Sequence, residues 1–163
     1  MKKLPICVVA VVCLVGFAAA LDLPPMREGL WSIRTQTIDN SGNVKSDFTQ
    51  KICRNHAYDQ AAQAKARNMP GCKVLNENLS GHTYTVEMEC KIAGSVIHSK
   101  GVTTRTAEDA TRSETHATYA PALNGVSDST MIMDQKYLGS CPSGMQPGDI
   151  IRPDGTILHT GKR

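Results

Sequence analysis

The stretch HTYTVEMEC, residues 82–90, decides the fold because its side chains alternate in character at every step. One side of the extended chain carries Tyr84, Val86, Met88 and Cys90. The other side carries Thr85, Glu87 and Glu89. A period of two residues predicts a β-strand with one face against protein and the other face toward water.

Similar stretches lie on both sides of it in the sequence. Residues 30–38 and 44–53 flank the turn sequence Asn40-Ser41-Gly42-Asn43 and predict a first hairpin. The remaining predicted strands are residues 73–75, 95–107, 110–120 and 131–138, with turns at residues 78–81 and 93–94 and a loop at residues 121–128. Short strands with short connections favour an antiparallel arrangement.

One helix is predicted at residues 56–68, where Ala, Gln and Lys dominate and Gly and Pro are absent. Asn55 is placed to cap its first turn, and Met69-Pro70-Gly71 ends it. Its apolar face is expected to consist of Ala57, Ala61, Ala64 and Met69. A helix this short is marginal by itself, so it needs to pack against the sheet.

The predicted fold is therefore mainly β. We expect an antiparallel meander of about six or seven strands, curled into a half-barrel or barrel, with one short α-helix and two disulfides. This β-rich domain is expected to span residues 21–141. Residues 142–163 form a C-terminal tail, in which residues 150–151 and 156–158 could pair as a minor hairpin.

Residues 1–20 have the three parts of a secretory signal peptide. Lys2 and Lys3 give the positive start, residues 4–17 are uncharged and apolar, and Ala18-Ala19-Ala20 supplies the small residues that signal peptidase requires. The apolar run is shorter than the ~20 residues of a membrane-spanning helix. We therefore expect cleavage after Ala20, export, and no stable membrane anchor afterwards.

Charge is nearly balanced in the mature chain. The whole sequence has 18 Lys and Arg residues against 15 Asp and Glu residues, and signal cleavage removes two of the lysines. A protein that binds nucleic acid needs a basic patch or stripe, and the sequence has no such cluster. We therefore expect no nucleic-acid partner.

Four cysteines remain after cleavage: Cys53, Cys72, Cys90 and Cys141. An even number of cysteines in an exported chain indicates disulfides, because the compartments outside the cytoplasm are oxidising. Four cysteines allow three pairings, and the sequence alone does not choose among them. We favour Cys53–Cys72, which would clasp the helix, together with Cys90–Cys141. Zinc binding is not favoured because the CxxC spacing of zinc ribbons is absent.

The order of several short motifs resembles a known family. These motifs are Gly29-Leu30-Trp31, the helix bracketed by Cys53 and Cys72, Pro70-Gly71-Cys72-Lys73, the strand from Tyr84 to Cys90, Tyr137-Leu138-Gly139-Ser140-Cys141, and the tail CPSGMQPGDIIRPDG. Together they resemble the bacterial exported family known as domain of unknown function 3617. The resemblance implies a periplasmic location in a Gram-negative bacterium, and it implies no particular activity.

The sequence contains none of the catalytic or nucleotide-binding motifs GxSxG, HExxH, the Walker loop and GxGxxG. Its five histidines are scattered, so we expect no metal site, although His82, His98 and His116 with Met131 and Met133 are the residues that could offer ligands to copper.

If Ala93-Gly94 is a two-residue turn, Glu89 lies opposite His98 and Glu87 lies opposite Lys100. Such cross-strand pairs are ordinary surface stabilisers.

These observations favour a non-catalytic binding or envelope-associated module with no cofactor. A curled sheet offers a concave face for a small apolar ligand or an envelope protein. The residues expected to line that face are Trp31, Tyr84, Met88, Met131, Met133 and Tyr137, although core packing would explain them as well. The alternatives are a periplasmic enzyme built on a histidine and a carboxylate, and an interaction protein that pairs an exposed strand edge with a partner.

Overall fold

The computed structural model describes residues 25–160, and the predicted signal peptide lies outside these residues. The helices and strands are β1 (Gly29–Asp39), β2 (Val44–Arg54), α1 (His56–Arg67), β3 (Cys72–Ser80), β4 (Thr83–Ile92), β5 (Ser95–Ala107), β6 (Ala110–Leu123), β7 (Val126–Gly139), β8 (Ile150–Ile151) and β9 (Ile157–Leu158). The predictions of a mainly β protein with one short helix are confirmed. The side chain of Asn55 accepts a hydrogen bond from the backbone N–H of Tyr58 and caps α1 as expected.

The strands form one antiparallel sheet in the order β3-β4-β5-β6-β7-β1-β2-β8-β9. The described residues therefore contain nine strands. Seven are long, within the expected six or seven, and the two short ones, β8 and β9, pair as the minor hairpin that was expected in the tail. The prediction of a half-barrel or barrel is wrong, because the sheet is neither closed nor strongly curled. Its two terminal strands, β3 and β9, do not pair with each other.

The connections explain why the sheet stays open. β1 pairs with both β2 and β7, so the first hairpin joins the β3–β7 meander through β1. The β8–β9 hairpin then adds to the far side of β2 through Lys51 and Ile52. Closure requires the first and last strands of a sheet to pair. Here α1 carries the chain from β2 to the opposite edge, where β3 begins.

One loop was predicted where the structure has a tight turn. Residues 121–128 belong mostly to β6 and β7, which are joined by Asn124 and Gly125. Both residues have positive φ, 51° and 81°, as a two-residue hairpin turn requires, and Asn-Gly is the favoured sequence for it. Pro121 cannot donate a hydrogen bond, and it falls where the β6–β7 register shifts between Thr118 and Leu123.

The strand register gives the sheet two unlike faces, because directly paired residues point to the same side. On the helix face, defined as the side on which α1 lies, Tyr84 pairs with Thr103, which pairs with Ser113. On the opposite, charged face, Glu87 pairs with Lys100 and Glu89 with His98, as the sequence predicted. The charged face also carries the ion pairs Lys73–Glu89, Arg112–Asp134 and Arg34–Asp47.

The hydrophobic core is small and sits at one end of the helix face. Trp31 is 0% exposed and packs with Ile33 and Ile52. Partly buried residues packed around this cluster are Met26, Tyr58, Met133, Tyr137 and Ile150. The indole N–H of Trp31 donates to the carbonyl oxygen of Arg27 at 2.8 Å, so its one polar atom is satisfied.

Both disulfides form, but their connectivity differs from the pairing we favoured. Cys53 is bonded to Cys141, and Cys72 is bonded to Cys90. Cys72 and Cys90 are directly opposite in the β3–β4 ladder, with their Cα atoms 3.9 Å apart. Cys53 and Cys141 have Cα atoms 5.6 Å apart, because β2 and β7 flank β1. The strand register, which places these residues side by side, decides the pairing.

A buried carboxylate holds the C-terminal tail. Asp149 is 1% exposed and accepts hydrogen bonds from the backbone N–H groups of Gln146 and Thr160 and from a ring nitrogen of His159. The backbone N–H of Cys53 also donates to the carbonyl oxygen of Asp149. These bonds tie both sides of the β8–β9 hairpin to the end of β2. No helix in the described part of the chain is long and apolar enough to cross a membrane.

Candidate functional site

Helix α1 lies on the sheet through a polar stripe. Asp59 is buried and Gln63 and Arg67 are half-buried, and these three residues follow one another at intervals of four. The apolar face that we expected, Ala57, Ala61, Ala64 and Met69, is exposed instead. The prediction of the packing face was therefore wrong. Alanines are too small to fill the space above a sheet, whereas the longer polar side chains reach partners on it.

Two ion pairs fix the two ends of the helix. Near its start, the carboxylate of Asp59 accepts from Arg54 Nε at 2.7 Å, and Arg54 also donates to the side-chain oxygen of Gln135 at 2.7 Å. Near its end, Arg67 lies 3.3 Å from the carboxylate of Glu77 on β3. The helix is thus held above the sheet at both ends, and space is left beneath its middle.

That space consists of two neighbouring cavities, which together we call the groove. The Arg105 cavity has a volume of about 230 Å³ and is lined by Met26, Gln63, Leu79, Gly81, His82, Tyr84, Thr103, Arg105 and Thr111. The Met88 cavity has a volume of about 170 Å³ and is lined by Gln63, Ala66, Arg67, Val74, Tyr84, Val86 and Met88. Gln63 and Tyr84 line both cavities, so the two cavities adjoin at these side chains.

The two cavities differ in chemistry. The wall of the Met88 cavity is almost wholly apolar, because Val74, Val86 and Met88 face it from the sheet. The Arg105 cavity adds polar groups, among them Thr111, whose buried hydroxyl has no hydrogen-bond partner within residues 25–160. A buried hydroxyl without a partner is costly, and such groups are rare in folded proteins.

Tyr84 marks the boundary between the cavities. Its hydroxyl donates to the carboxylate of Glu77 at 2.9 Å. Burial, followed by the hydrogen bond to Glu77, raises the pKa of Tyr84 above its ordinary value. The phenol is protonated at neutral pH, so it can donate this hydrogen bond, which holds the side chain where the two cavities adjoin.

The six residues predicted to line a ligand face all lie on the helix face, but they fall into separate groups. Tyr84 and Met88 line the groove. Trp31, Met133 and Tyr137 pack in or against the core. Met131 lies further along β7 and is 38% exposed.

Most of the other lining residues escaped the sequence analysis. The alternation of residues 82–90 places Val86 on the same face as Tyr84 and Met88, so Val86 could have been predicted as a lining residue from the sequence. The register of the β5–β6 hairpin brings Arg105 opposite Thr111, but its exact alignment could not be fixed beforehand. Gln63 and Met26 could not be found from the sequence, because nothing in it gives the orientation of α1.

The residues named for a histidine–carboxylate enzyme are dispersed. His98 and His116 lie on the charged face, where they are 3.7 Å from Glu89 and 3.0 Å from Asp128. His82 follows β3 in a turn and lines the Arg105 cavity. None of the cavities described above joins two of the five residues His82, His98, His116, Glu87 and Glu89. Residues 25–160 also contain no cluster of three or more His, Cys, Asp or Glu side chains able to hold a metal ion.

Comparison with known proteins agrees with the motifs seen in the sequence. A family model described as a protein of unknown function (DUF3617) matches residues 26–141. No curated protein matches the chain significantly. The family match covers well over half of the 163 residues and runs from Met26, at the groove, to Cys141, in the second disulfide. The chain therefore belongs to the DUF3617 family.

Proposed function

We propose that this protein is a non-catalytic binding module that takes a narrow apolar ligand into the groove between α1 and the sheet. One observation carries the proposal. The helix is held at its two ends by the ion pairs Arg54–Asp59 and Arg67–Glu77, and apolar cavities remain beneath it. Closely packed interiors contain few voids larger than a water molecule, so an apolar space of this size favours occupation by a ligand.

The volumes limit the shape of the ligand. Pockets for drug-sized molecules are typically about 300–1,000 Å³. Each cavity here is smaller, at about 230 and 170 Å³, and the side chains of Gln63 and Tyr84 lie where the two cavities adjoin. An alkyl chain or a single ring fits these dimensions, whereas a bulky multi-ring molecule does not.

We further propose that the module acts in the periplasm. The signal-peptide pattern of residues 1–20 and the two disulfides support this location, because stable disulfides are typical of oxidising compartments. A partner in the envelope is consistent with the same location. The alternative of a histidine–carboxylate enzyme has less support, since its candidate residues are spread over different surfaces.

Octanol is a suitable probe, because it is a neutral single chain. We expect isothermal titration calorimetry to detect binding of octanol to the oxidised protein. Val86→Phe should fill the Met88 cavity and weaken binding by about ten-fold or more, equivalent to ~1.4 kcal/mol. Val96→Phe makes the same change on the charged face of the neighbouring strand and should leave binding intact.

Circular dichroism of both variants serves as the control for folding. If octanol fails to bind the wild-type protein, the proposed function is wrong. It is also wrong if Val96→Phe and Val86→Phe weaken binding equally while both proteins stay folded, because the ligand would then not depend on the groove.

A second candidate function rests on the edge of β2. The tail hairpin pairs only with Lys51 and Ile52, so residues 44–50 have no strand beside them on that side within the described part of the chain. Phe48 is exposed there. A partner strand could add to this edge through backbone hydrogen bonds. Crosslinking in the periplasm at residue 48 would test it, and recovery of the uncrosslinked protein alone would contradict it.

A further inference from the structure

We infer that the Arg105 cavity binds a neutral single-ring molecule that carries a hydroxyl group, and that this hydroxyl group forms a hydrogen bond with Thr111. The inference rests on the proposed function, because it assumes that the groove binds a ligand. It adds the size of the ligand, its polar group and the cavity that it occupies.

The first step is the buried hydroxyl of Thr111. Thr111 is 7% exposed, and its Oγ1 has no hydrogen-bond partner within residues 25–160. Thr111 is two residues from Ser113 on β6, so its side chain points to the helix face, where it lines the Arg105 cavity. An oxygen atom of a ligand in this cavity would complete the hydrogen bonding of a group whose burial is otherwise costly.

The second step is that the neighbours of Thr111 are engaged elsewhere. The side-chain oxygen of Gln135, its partner on β7, accepts a hydrogen bond from Arg54 at 2.7 Å. The hydroxyl of Ser113, on the same face of β6, lies 2.8 Å from that of Thr103. Both neighbouring groups thus have partners, and the hydroxyl of Thr111 is left to a ligand.

The third step is the charge of the ligand. The guanidinium of Arg105 already has partners in the protein, among them the carbonyl oxygen of Pro25 at 3.2 Å from Nη2. Arg105 is therefore not available as a counter-ion for an anionic ligand. The described residues that line the cavity also include no Asp or Glu side chain to pair with a cationic one. Burying a charge without a partner is costly, so the cavity favours a neutral ligand.

The fourth step is the size of the ligand. The Arg105 cavity has a volume of about 230 Å³, and its apolar wall includes Met26, Leu79 and Tyr84. An apolar cavity of about 150 Å³ is already large enough to bind benzene. The Arg105 cavity by itself therefore has room for one six-membered ring with a hydroxyl group. A rigid ring also loses less conformational freedom on binding than a flexible chain does.

Phenol and toluene test the inference, because they have nearly the same shape and differ in the hydroxyl group. NMR titrations give both affinities, and the ratio of phenol affinity to toluene affinity is compared between proteins. Thr111→Val should lower this ratio about ten-fold, because it removes the hydroxyl that pairs with phenol. The comparison of ratios cancels the different hydration of the two ligands. Thr111→Ser keeps a hydroxyl and should keep the wild-type ratio.

Thr115→Val is the matched control. Thr115 lies further along the same face of β6, where it pairs with Gly101, and it lies outside the Arg105 cavity. Thr115→Val should therefore leave the ratio unchanged. In the wild-type protein, NOEs should connect the ring protons of phenol to the methyl groups of Met26 and Leu79. These NOEs locate the ligand even if Thr111→Val fails to fold.

The protein without ligand gives a second readout. Because the buried hydroxyl of Thr111 has no partner among the described residues, Thr111→Val should raise the midpoint of thermal unfolding by about 2–4 °C. A hydroxyl with a purely structural role, bonded to an ordered water, would make the same substitution lower the midpoint.

The inference is overturned if Thr111→Val leaves the ratio unchanged in a folded protein, if it lowers the midpoint, or if Thr115→Val lowers the ratio equally. NOEs from phenol to methyl groups outside the Arg105 cavity would also overturn it. Tighter binding of benzoate than of phenol at neutral pH would overturn the choice of a neutral ligand.

These outcomes are separate from those of the proposed function. If octanol binds and Val86→Phe weakens its binding, but phenol fails the tests above, the groove binds a ligand and only the inference is wrong. If octanol, phenol and toluene all fail to bind, the proposed function itself fails.

Discussion

Trp31 is the residue on which the core depends most. It is completely buried, its ring packs edge-on against Tyr137 at a centroid distance of 5.7 Å, and the guanidinium of Arg54 lies 5.8 Å from its ring centre. Trp31→Ala should therefore lower the free energy of unfolding by about 3–5 kcal/mol. Urea denaturation followed by circular dichroism measures this loss. A loss below about 1 kcal/mol would show that Trp31 is not a core anchor.

Asp149 makes the tail sensitive to acid. The backbone N–H of Gln146, followed by His159, lowers the pKa of this carboxyl below its ordinary value of 3.8. Because the folded-state pKa is the lower one, the carboxylate stabilises the tail fully above about pH 3.8, and the stabilisation is lost as pH falls through the folded value. We expect NMR signals of Ile157 and Leu158 to report release of the hairpin in that range.

Asp149→Asn should release the hairpin already at neutral pH, because an amide cannot accept all three hydrogen bonds as the carboxylate does. Asp128→Asn, which changes an acidic residue on the charged face, should leave the tail signals unchanged. Identical tail signals in the wild-type protein and Asp149→Asn would contradict this role of Asp149.

At the residue scale, local patterns were predictable and long-range partners were not. The pairing of Glu89 with His98 follows from strand alternation and the two-residue turn Ala93-Gly94, so the sequence predicts it. The partner of Cys53 depends on which strands flank β1, and that information is spread over the whole chain. The disulfide connectivity was therefore predicted incorrectly, although the number of disulfides was correct.

At the scale of elements, the attachment of α1 to the sheet depends on a shielded ion pair. The side chains of Arg54 and Asp59 are 15% and 10% exposed, whereas those of Arg112 and Asp134 on the charged face are 48% and 43% exposed. Asp59→Ala should lower the free energy of unfolding by about 3–5 kcal/mol, because it leaves the Arg54 charge poorly compensated. Asp134→Ala should cost at most about 1 kcal/mol.

Urea denaturation of the two variants at low and high salt tests this comparison. Salt should reduce the effect of Asp134→Ala further, and it should change the effect of Asp59→Ala less, because buried pairs are screened less. Equal effects of the two substitutions would mean that the Arg54–Asp59 pair does not hold the helix.

The same helix shows where sequence patterns mislead. Its existence and its cap at Asn55 were predictable from composition. Its orientation was not, because the spacing of Ala57, Ala61 and Ala64 indicates an apolar face that the structure leaves exposed. The partners of Asp59 and Arg67 decide the orientation, and both partners lie on other elements. The groove follows from this orientation, so most of its lining residues could not be predicted.

For the whole molecule, the sheet is broad and the core is small, so the disulfides should contribute much of the stability. Cys53–Cys141 spans 88 residues and Cys72–Cys90 spans 18 residues. Loop-closure entropy predicts losses of about 4.5 and about 3 kcal/mol when the respective cysteine pair is replaced by alanine. Urea denaturation measures both losses. An equal or reversed order would contradict this account of how the disulfides stabilise the protein.

The sheet's openness is also a property of the whole molecule. A string of short antiparallel strands is compatible with a barrel or an open sheet, and the sequence analysis favoured the barrel. The structure remains open because the β8–β9 hairpin pairs with the end of β2 and α1 carries the chain to the opposite edge. Both features depend on contacts between segments that are far apart in the sequence. The local periodicity of the sequence gives no information about such contacts.

The central claim is that the space beneath α1 receives a ligand, and methyl NMR during a titration with octanol tests it most directly. We predict that chemical-shift changes concentrate on Val74, Leu79, Val86 and Met88, which line the groove. Val96 on the charged face and the exposed Met131 should change little. Changes centred on Val96 or Met131, or saturating octanol without any change at the groove methyls, would contradict the claim.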